Sequence, residues 1–433
     1  MSSGSSRECR IEGTVAPGFE SVKSLYEHNM RTLEEKNTQL CIYHRGEKVV
    51  DLWATAIGDA DFSPDSLVNV FSSGKSLEAI AMASLVGKGL LRYDAKITDY
   101  WPEFGANGKG ELTVAELMRH EAGLAAFDVT LDPKDLLREN IKLNKIGRVI
   151  EGHPQEYRKR GGSRREYHAI TRGWIVNEIF RRVDPAGRTI GEFLREDISR
   201  PLEIDAIIGV DEGDLKRRSK VSPLGFLFQF LESLKPKFLK RRMERNLFQI
   251  LGLILRILPV IRNATTRGAP APLKGMGRMA FFNEPIFAMG ETPSAGANCS
   301  ARGLAKIAAM MSLGGSWAGI EYLNKEAWQA MHDAPVDADM GIGSTIFTQG
   351  GVALFSTPPP NSNHLTKAIN VGREGFYGWM GLGGSIFQWD PEHEIGFGYV
   401  PTSLNVLDFV NERGKAYQRE VLDCVAKLAG PEA

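Results

Sequence analysis

Ser72 and Lys75 are the residues of this chain whose types and spacing point most directly to covalent chemistry. They form Ser-x-x-Lys within Phe71-Ser72-Ser73-Gly74-Lys75, at the head of a segment with helical periodicity. A spacing of three puts both side chains on one face of the first helical turn. A serine hydroxyl is a weak nucleophile until a neighbouring base takes its proton. A lysine can be that base only if its pKa falls towards neutrality, and desolvation and the positive end of a helix both push it that way. The tetrapeptide alone equally fits a Ser/Lys pair on a solvated helix start. Gly74-Lys75-Ser76 also matches the tail of a phosphate loop, but the first glycine of that pattern falls at position 69, which is Asn69.

Other candidate bases carry less. A Ser-His-Asp hydrolase needs a G-x-S-x-G elbow, and Gly314-Gly315-Ser316-Trp317 is followed by Ala318. His120 reads as a structural residue at the end of a short helix. His168 borders the predicted site and is a candidate substrate contact. No H-E-x-x-H or Cys/His cluster suggests a metal, and no cofactor pattern is present.

The elements that must position these residues follow from periodicity and turn signals. Residues 1–15 are small and polar and read as a loose tail. Phe19, Val22, Leu25 and Met30 predict a helix over 18–36. Gln39–Tyr43 and Lys48–Ala54 read as a hairpin around Arg45-Gly46-Glu47. A helix follows Ser72, on Leu77, Ile80, Ala81 and Leu85. Thr113–His120 is a second, short one, with Thr113 as N-cap and Glu116 as its capping-box partner. Residues 127–165 read as mostly polar and helical, ending in Arg158-Lys159-Arg160-Gly161-Gly162. Ile170–Val183 is a strong helix, and Asn411–Leu428 closes the chain. Ser385–Trp389 and Gly396–Val400 are strands around Asp390-Pro391-Glu392-His393. With strands at both ends and helices between, the simplest architecture is an α/β (α+β) one. An antiparallel sheet is built from both terminal segments and flanked by helices, with a mostly helical lobe inserted.

Further patterns follow Ser-x-x-Lys in order. Leu117-Met118-Arg119-His120-Glu121-Ala122-Gly123-Leu124 gives L-x-x-H-x-x-G-L. Tyr167-His168-Ala169 opens a helix. Pro293-Ser294-Ala295-Gly296 precedes Ser300–Ala305. Gly378-Trp379-Met380-Gly381-Leu382-Gly383-Gly384-Ser385 runs into a strand. This order resembles the serine β-lactamase-like family, specifically its class C-like esterase branch, over roughly residues 20–428. The resemblance implies one catalytic unit over 16–430, with a sheet lobe near 16–75 and 285–430 and a helical lobe near 76–284. It matches Ser72 to the acylated nucleophile, Lys75 to its activating lysine and Tyr167 to the tyrosine of the family's Tyr-x-Asn, which shares the proton work. A phenol has an ordinary pKa of about 10 and needs a nearby cation to act as a base, so Lys75 and Tyr167 read as a coupled pair. The resemblance assigns the oxyanion hole to the backbone N–H groups of Ser72 and Leu382. It makes Trp379, Gly381 and Gly383 substrate contacts, the glycines giving the substrate room.

Two departures from the family pattern shape the substrate. Trp379-Met380-Gly381 stands where the family's β-lactamases carry Lys-Thr-Gly. A neutral indole lacks the charge that holds a β-lactam carboxylate, and Trp-x-Gly resembles family esterases acting on neutral acyl esters. Ala169 replaces the Asn of Tyr-x-Asn, which leaves Lys75 without an expected amide partner.

The whole chain bounds the remaining readings. Its 433 residues carry 53 Lys plus Arg against 53 Asp plus Glu. That balance argues against a protein built to hold nucleic acid. Its 4 cysteines are scattered, which fits a reducing, cytoplasmic setting. No secretory h-region and no apolar run long enough to span a bilayer is visible. Residues 214–262, within an insertion near 214–265, differ from the rest. Ten Lys/Arg fall between Lys216 and Arg245 against Glu232 and Glu244, interleaved with Phe226–Phe230 and followed by Leu247–Leu258. Three readings stand for it: a lid over the site, an interfacial segment making peripheral membrane contact, or a helical pair with a solvated basic face. The expected function is a serine hydrolase acting on a small-molecule acyl ester. A β-lactamase or peptidase, an acyltransferase, and a non-catalytic membrane-associated relative are the alternatives. Oligomeric state has no signal.

Overall fold

The computed structural model describes residues 9–157, 163–236, 238, 246–252, 255, 269–340, 343–405, 408 and 410–430. The two ends of the chain meet in one sheet. Its nine strands are β1 (Arg10–Val15), β2 (Asn37–His44), β3 (Glu47–Thr55), β4 (Val336–Asp339), β5 (Ser344–Phe347), β6 (Ala353–Leu354), β7 (Tyr377–Met380), β8 (Ile386–Asp390) and β9 (Ile395–Pro401). Their spatial order is β1-β3-β2-β9-β8-β7-β6-β5-β4, antiparallel throughout. The seam between the terminal segments is β2 against β9, with Cys41 opposite Gly398 and Leu40 opposite Tyr399. The two expected hairpins, β2–β3 and β8–β9, are both present.

Alternation along β2 sends side chains to opposite faces, so the sheet has a core on each side. Leu40 and Ile42 join a core with α1 (Glu20–Thr32) and the closing helix α8 (Glu412–Ala429). Cys41 joins the other core, which holds α2 (Lys75–Gly87), α4 (Thr171–Val183) and α6 (Ala301–Ser312). The short α3 (Val114–Met118) carries the anticipated capping box, Thr113 Oγ1 accepting from Glu116 N and Glu116 accepting from Thr113 N. Two more helices complete the set used here, α5 (Phe226–Leu234) and α7 (Lys325–His332), the latter packed on α2.

The structure corrects two expectations. Residues 10–15 are not part of a loose tail. They form β1 on the open edge of β3, with Ile11 and Val15 against the core. The helical reading of 127–165 holds only for short turns at Pro133–Leu136, Arg138–Lys142 and Lys145–Gly152. Residues 153–157 and 163–170 are not helical, and Tyr167 precedes α4 rather than opening it. The tertiary partners of 163–168 override the local helical pattern. The Arg158–Gly162 run lies outside the described residues, as do Lys240–Arg245 and much of Leu247–Leu258.

The helix after Ser72 is unusual in being buried on every side from Lys75 to Leu85. A helix in that position must partner its polar groups internally. Glu78 does so with Arg172 of α4, at 3.0 Å and with neither side chain exposed. Arg172 also donates to Met118 O at 2.9 Å, Gly351 O at 3.2 Å and Lys75 O at 3.2 Å. One guanidinium therefore ties α2, α3, α4 and the β5–β6 turn together. Removing one partner of such a pair strands a buried charge. Arg172→Met is expected to lower stability by about 3–5 kcal/mol in chemical denaturation. The double variant with Glu78→Gln should recover part of that loss; equal losses in single and double variants would contradict the pairing.

Candidate active site

Ser72 sits in a single 3-10 turn, Phe71–Gly74, that runs directly into α2. Its presentation depends on Phe71, which holds φ at +48°, a conformation that disfavours a bulky side chain by about 1–2 kcal/mol. Local contacts stabilise that backbone. Asn69 Oδ1 accepts from Phe71 N at 2.9 Å, Val70 N donates to Ala297 O at 2.9 Å, and the Phe71 ring packs edge-on against Phe282. The Asn69 that breaks the phosphate-loop pattern thus has a structural role of its own.

Lys75 opens α2 and is 1% exposed. Its Nζ lies 3.3 Å from Ser72 Oγ, 2.7 Å from Ala169 O and 3.0 Å from Ser294 O. Burial holds this amine well below the ordinary lysine range; Glu78 opposes the shift and Arg172 adds to it. Two backbone carbonyls thus take the place of the missing Tyr-x-Asn amide. Position 169 still serves Lys75, through main chain rather than side chain.

Tyr167 is half-buried beside Ser72. Its hydroxyl accepts from Trp379 Nε1 at 2.9 Å, and its ring centroid is 4.9 Å from Lys75 Nζ. Burial raises the phenol pKa, while hydrogen bonds with Ser72 and Trp379 pull it back. Trp379, on β7, is 8% exposed and packs on Tyr167, Phe347 and Phe355.

The segment carrying Tyr167 is held by the L-x-x-H-x-x-G-L motif. Glu166 N donates to His120 O at 2.9 Å, and His168 N donates to His120 Nδ1 at 3.1 Å. Leu124 N donates to His168 Nε2 at 3.1 Å, and His168 Nδ1 is 2.6 Å from Glu166 O. Arg165 adds bonds to Glu121, Val336 O and Thr345 O. Both ring nitrogens of the fully buried His168 are therefore committed to backbone, and burial pushes its pKa down to about 4. This corrects the expectation that His168 touches substrate. His120 is likewise buried and held neutral, by burial first and by Arg172 next.

The turn after β7 completes the site. Gly381 N donates to Ser385 O and Gly384 N to Gly381 O, which leaves Leu382 at the first corner with its N–H outside the turn's own bonds. The Ser72 N–H lies in the first turn of its helix, where no preceding helical carbonyl can accept it. The turn is stitched to the Ser72 segment. Ser385 Oγ donates to Val70 O at 2.7 Å and lies 3.0 Å from Ser73 Oγ. A Cβ on Gly381 would fall 2.2 Å from Val70 O, and one on Gly383 would fall 2.5 Å from Leu404 Cβ. These glycines were expected to leave room for substrate. The space a side chain would occupy is filled by the protein itself, and what they permit is close docking of the turn.

The sequence patterns did not reveal Ser294 O, Ala169 O or the Glu78–Arg172 pair. Pro293–Gly296 marked the right segment, but nothing in residue type signals a carbonyl aimed at a lysine. Arg172 looks like any helical arginine until α4 is packed. Among the described residues no group of three or more His, Cys, Asp or Glu is placed to hold a metal ion.

The chain is similar to known proteins over most of its length. A 28% identical relative from Mycobacterium tuberculosis, the esterase/beta-lactamase LipL, aligns over 91% of this chain and 83% of its own. The crystal structure of EstA from Arthrobacter nitroguajacolicus Rue61a superposes with a TM-score of 0.71 at 25% identity, covering 96% of this chain and 99% of that one. A family VIII carboxylesterase shares the fold with a TM-score of 0.73 at 22% identity, covering 96% and 100%. The profile of the Beta-lactamase family matches residues 22–419. The chain belongs to the beta-lactamase family.

Proposed function

We propose that this serine hydrolase cleaves carboxylic esters through an acyl intermediate on Ser72, activated by Lys75 and Tyr167. The supporting observation is the tripod around Lys75 Nζ. A neutral amine has two N–H bonds and one lone pair. With the N–H groups given to Ala169 O and Ser294 O, the lone pair is left for Ser72, whose hydroxyl then donates to it across 3.3 Å. In acylation, the Ser72 proton passes to Lys75 as Oγ bonds to the ester carbonyl carbon. The carbonyl oxygen gains negative charge, which the Ser72 and Leu382 N–H groups would receive. The bond to the alcohol oxygen then breaks, and that oxygen takes a proton relayed through Tyr167. Water attacking the acyl carbon reverses the sequence and frees Ser72; an alcohol in place of water gives acyl transfer.

Trp379 favours neutral esters. Its one polar group, Nε1–H, is spent on Tyr167, so it offers neither charge nor a free donor to a substrate carboxylate. The second reading, a β-lactamase, has one specific support, the paired description of the LipL relative. Two settings go with the proposal. One is the cytoplasm, where four free cysteines remain reduced. The other is peripheral membrane contact through 214–262, where Leu227, Leu231 and Leu234 are exposed.

Each part of this reading has an expected outcome. A fluorophosphonate probe should label the wild type on Ser72, with labelling absent in Ser72→Ala; labelling that survives this change, or a folded wild type that stays unlabelled, would refute the assignment. The rate of ester cleavage, kcat/KM, should fall with decreasing pH as Lys75 takes a proton, with the limb lying below the ordinary lysine range. Lys75→Arg, a cation at every accessible pH, should lose about 100-fold or more with no recovery at high pH. Finally, Trp379→Phe should cost roughly 10-fold in kcat/KM by removing one donor to a phenol that gains negative character. On the wild type, nitrocefin should turn over far more slowly than short-chain esters; comparable rates would favour the β-lactamase reading.

A further inference from the structure

Helix α5 is inside out. Its large apolar residues Leu227, Phe230, Leu231 and Leu234 are 67%, 42%, 50% and 52% exposed. They fall at i, i+3, i+4 and i+7, which is a single helical face. The opposite face buries Gln229, Glu232 and Ser233 at 4%, 2% and 3%, along with Phe228. Most of those polar groups find partners: Gln229 Nε2 donates to Leu224 O, Ser233 Oγ donates to Phe230 O and Glu232 pairs with Lys235, while Gln229 Oε1 is buried without a hydrogen bond among the described residues. Exposed apolar residues continue beyond the helix at Phe238, Phe248, Leu251 and Leu255. An exposed apolar helix face of this kind marks a contact with another phase or molecule.

Charge identifies the occupant. Beyond Lys235, which pairs with Glu232, the residues Lys237, Lys240, Arg241, Arg242 and Arg245 follow α5 in sequence, against Glu244 alone. Of the earlier basic residues of this stretch, Arg217 pairs with Asp205 and Arg218 donates to Asn298, Phe282 O and Asn283 O, while Lys216 and Lys220 are exposed. A second copy seated on the same face would set one basic run against another. An anionic lipid surface would neutralise both runs and accept the apolar side chains. Nine residues at 1.5 Å each make about 14 Å, half of a bilayer core of about 30 Å, so α5 can lie in the interface but not cross it.

The position of α5 ties this surface to the active site. Ser222 N donates to Thr402 O and Leu224 N to Leu404 O, and Leu404 packs on Gly383 in the turn that holds Leu382. The apolar face therefore starts at Leu227, four residues beyond the short strand Ser222–Pro223, which pairs with Ser403–Leu404 beside the oxyanion turn. Leu382 itself is 40% exposed.

We propose that α5 docks this protein on anionic bilayers, so that the Ser72 site meets acyl esters held in the lipid. The second half rests on the ester-hydrolase reading; the docking does not. Full-length wild type and Ser72→Ala should both float with vesicles of phosphatidylcholine plus phosphatidylserine. Binding should fall with added salt and be much weaker on phosphatidylcholine alone. The triple variant Leu227→Ser, Leu231→Ser, Leu234→Ser should lose roughly tenfold or more in vesicle binding, while retaining the wild-type thermal midpoint and turnover of a soluble short-chain ester. Wild type left at the bottom of the gradient, or a triple variant that floats like wild type, would overturn the docking. So would a wild-type dimer in analytical ultracentrifugation that the triple variant turns into a monomer, since a second copy would then be the occupant. Flotation without turnover of any ester would instead remove the catalytic reading and leave the docking in place.

Discussion

A lysine amine withheld from water is the constraint on which the rest of this structure depends. Lys75 lies at the head of a helix buried on every side, and among the described residues its Nζ is bonded to Ser72 and two backbone carbonyls and lies over the Tyr167 ring. Burial disfavours its charged form, which is the condition that the proposed role of Lys75 as base to Ser72 requires. The surrounding elements can be understood as the means of keeping it there. Arg172 binds the carbonyl of Lys75 itself and neutralises Glu78 one turn later. His120 and Leu124 fix the segment that delivers Ala169 O, and the 292–296 turn delivers Ser294 O.

Two neighbours make that base specific for a task. Tyr167 is placed by backbone bonds on either side of it and is tuned by a donor from Trp379. The same indole removes the positive charge that a lysine would have supplied at this position. One residue that departs from the family pattern thus bonds the tyrosine and, on the proposed reading, also bears on the kind of substrate that fits. Opposite Tyr167, the turn at Gly381–Gly384 is docked so tightly on Val70 and Leu404 that the Leu382 N–H is rigidly presented. Preorganised donors of this sort stabilise developing charge without reorganisation at the moment of reaction.

Much of this was legible in the residues. Ser72 and Lys75 stand out by type and spacing, Tyr167 and Trp379 through the order of the family's motifs, and the structure places the four side chains next to one another. The terminal sheet was legible because β2, β3, β8 and β9 alternate cleanly or sit around unmistakable turns. What was hidden depends on backbone or on packing. Ala169 and Ser294 act through carbonyls, which every residue has. His168 looked like a substrate contact because it adjoins Tyr167, yet both of its nitrogens are taken by backbone atoms, one of them on the distant Leu124 and the other on Glu166 two residues away. Strand β1 was missed because a weakly patterned edge strand is specified mainly by the strand it joins. The unusual composition of 214–262 was visible at once, but only the packed helix shows that its apolar side faces outward.

The protonation state of Lys75 can be measured directly. In protein carrying carbon-13 at the lysine ε position, the Lys75 signal, identified by its loss in Lys75→Arg, can be followed by NMR across a pH titration. A midpoint well below the ordinary lysine value of about 10.4 is expected. A midpoint at or above that value would show that the buried amine keeps its proton, and Lys75 would then not be the base that activates Ser72.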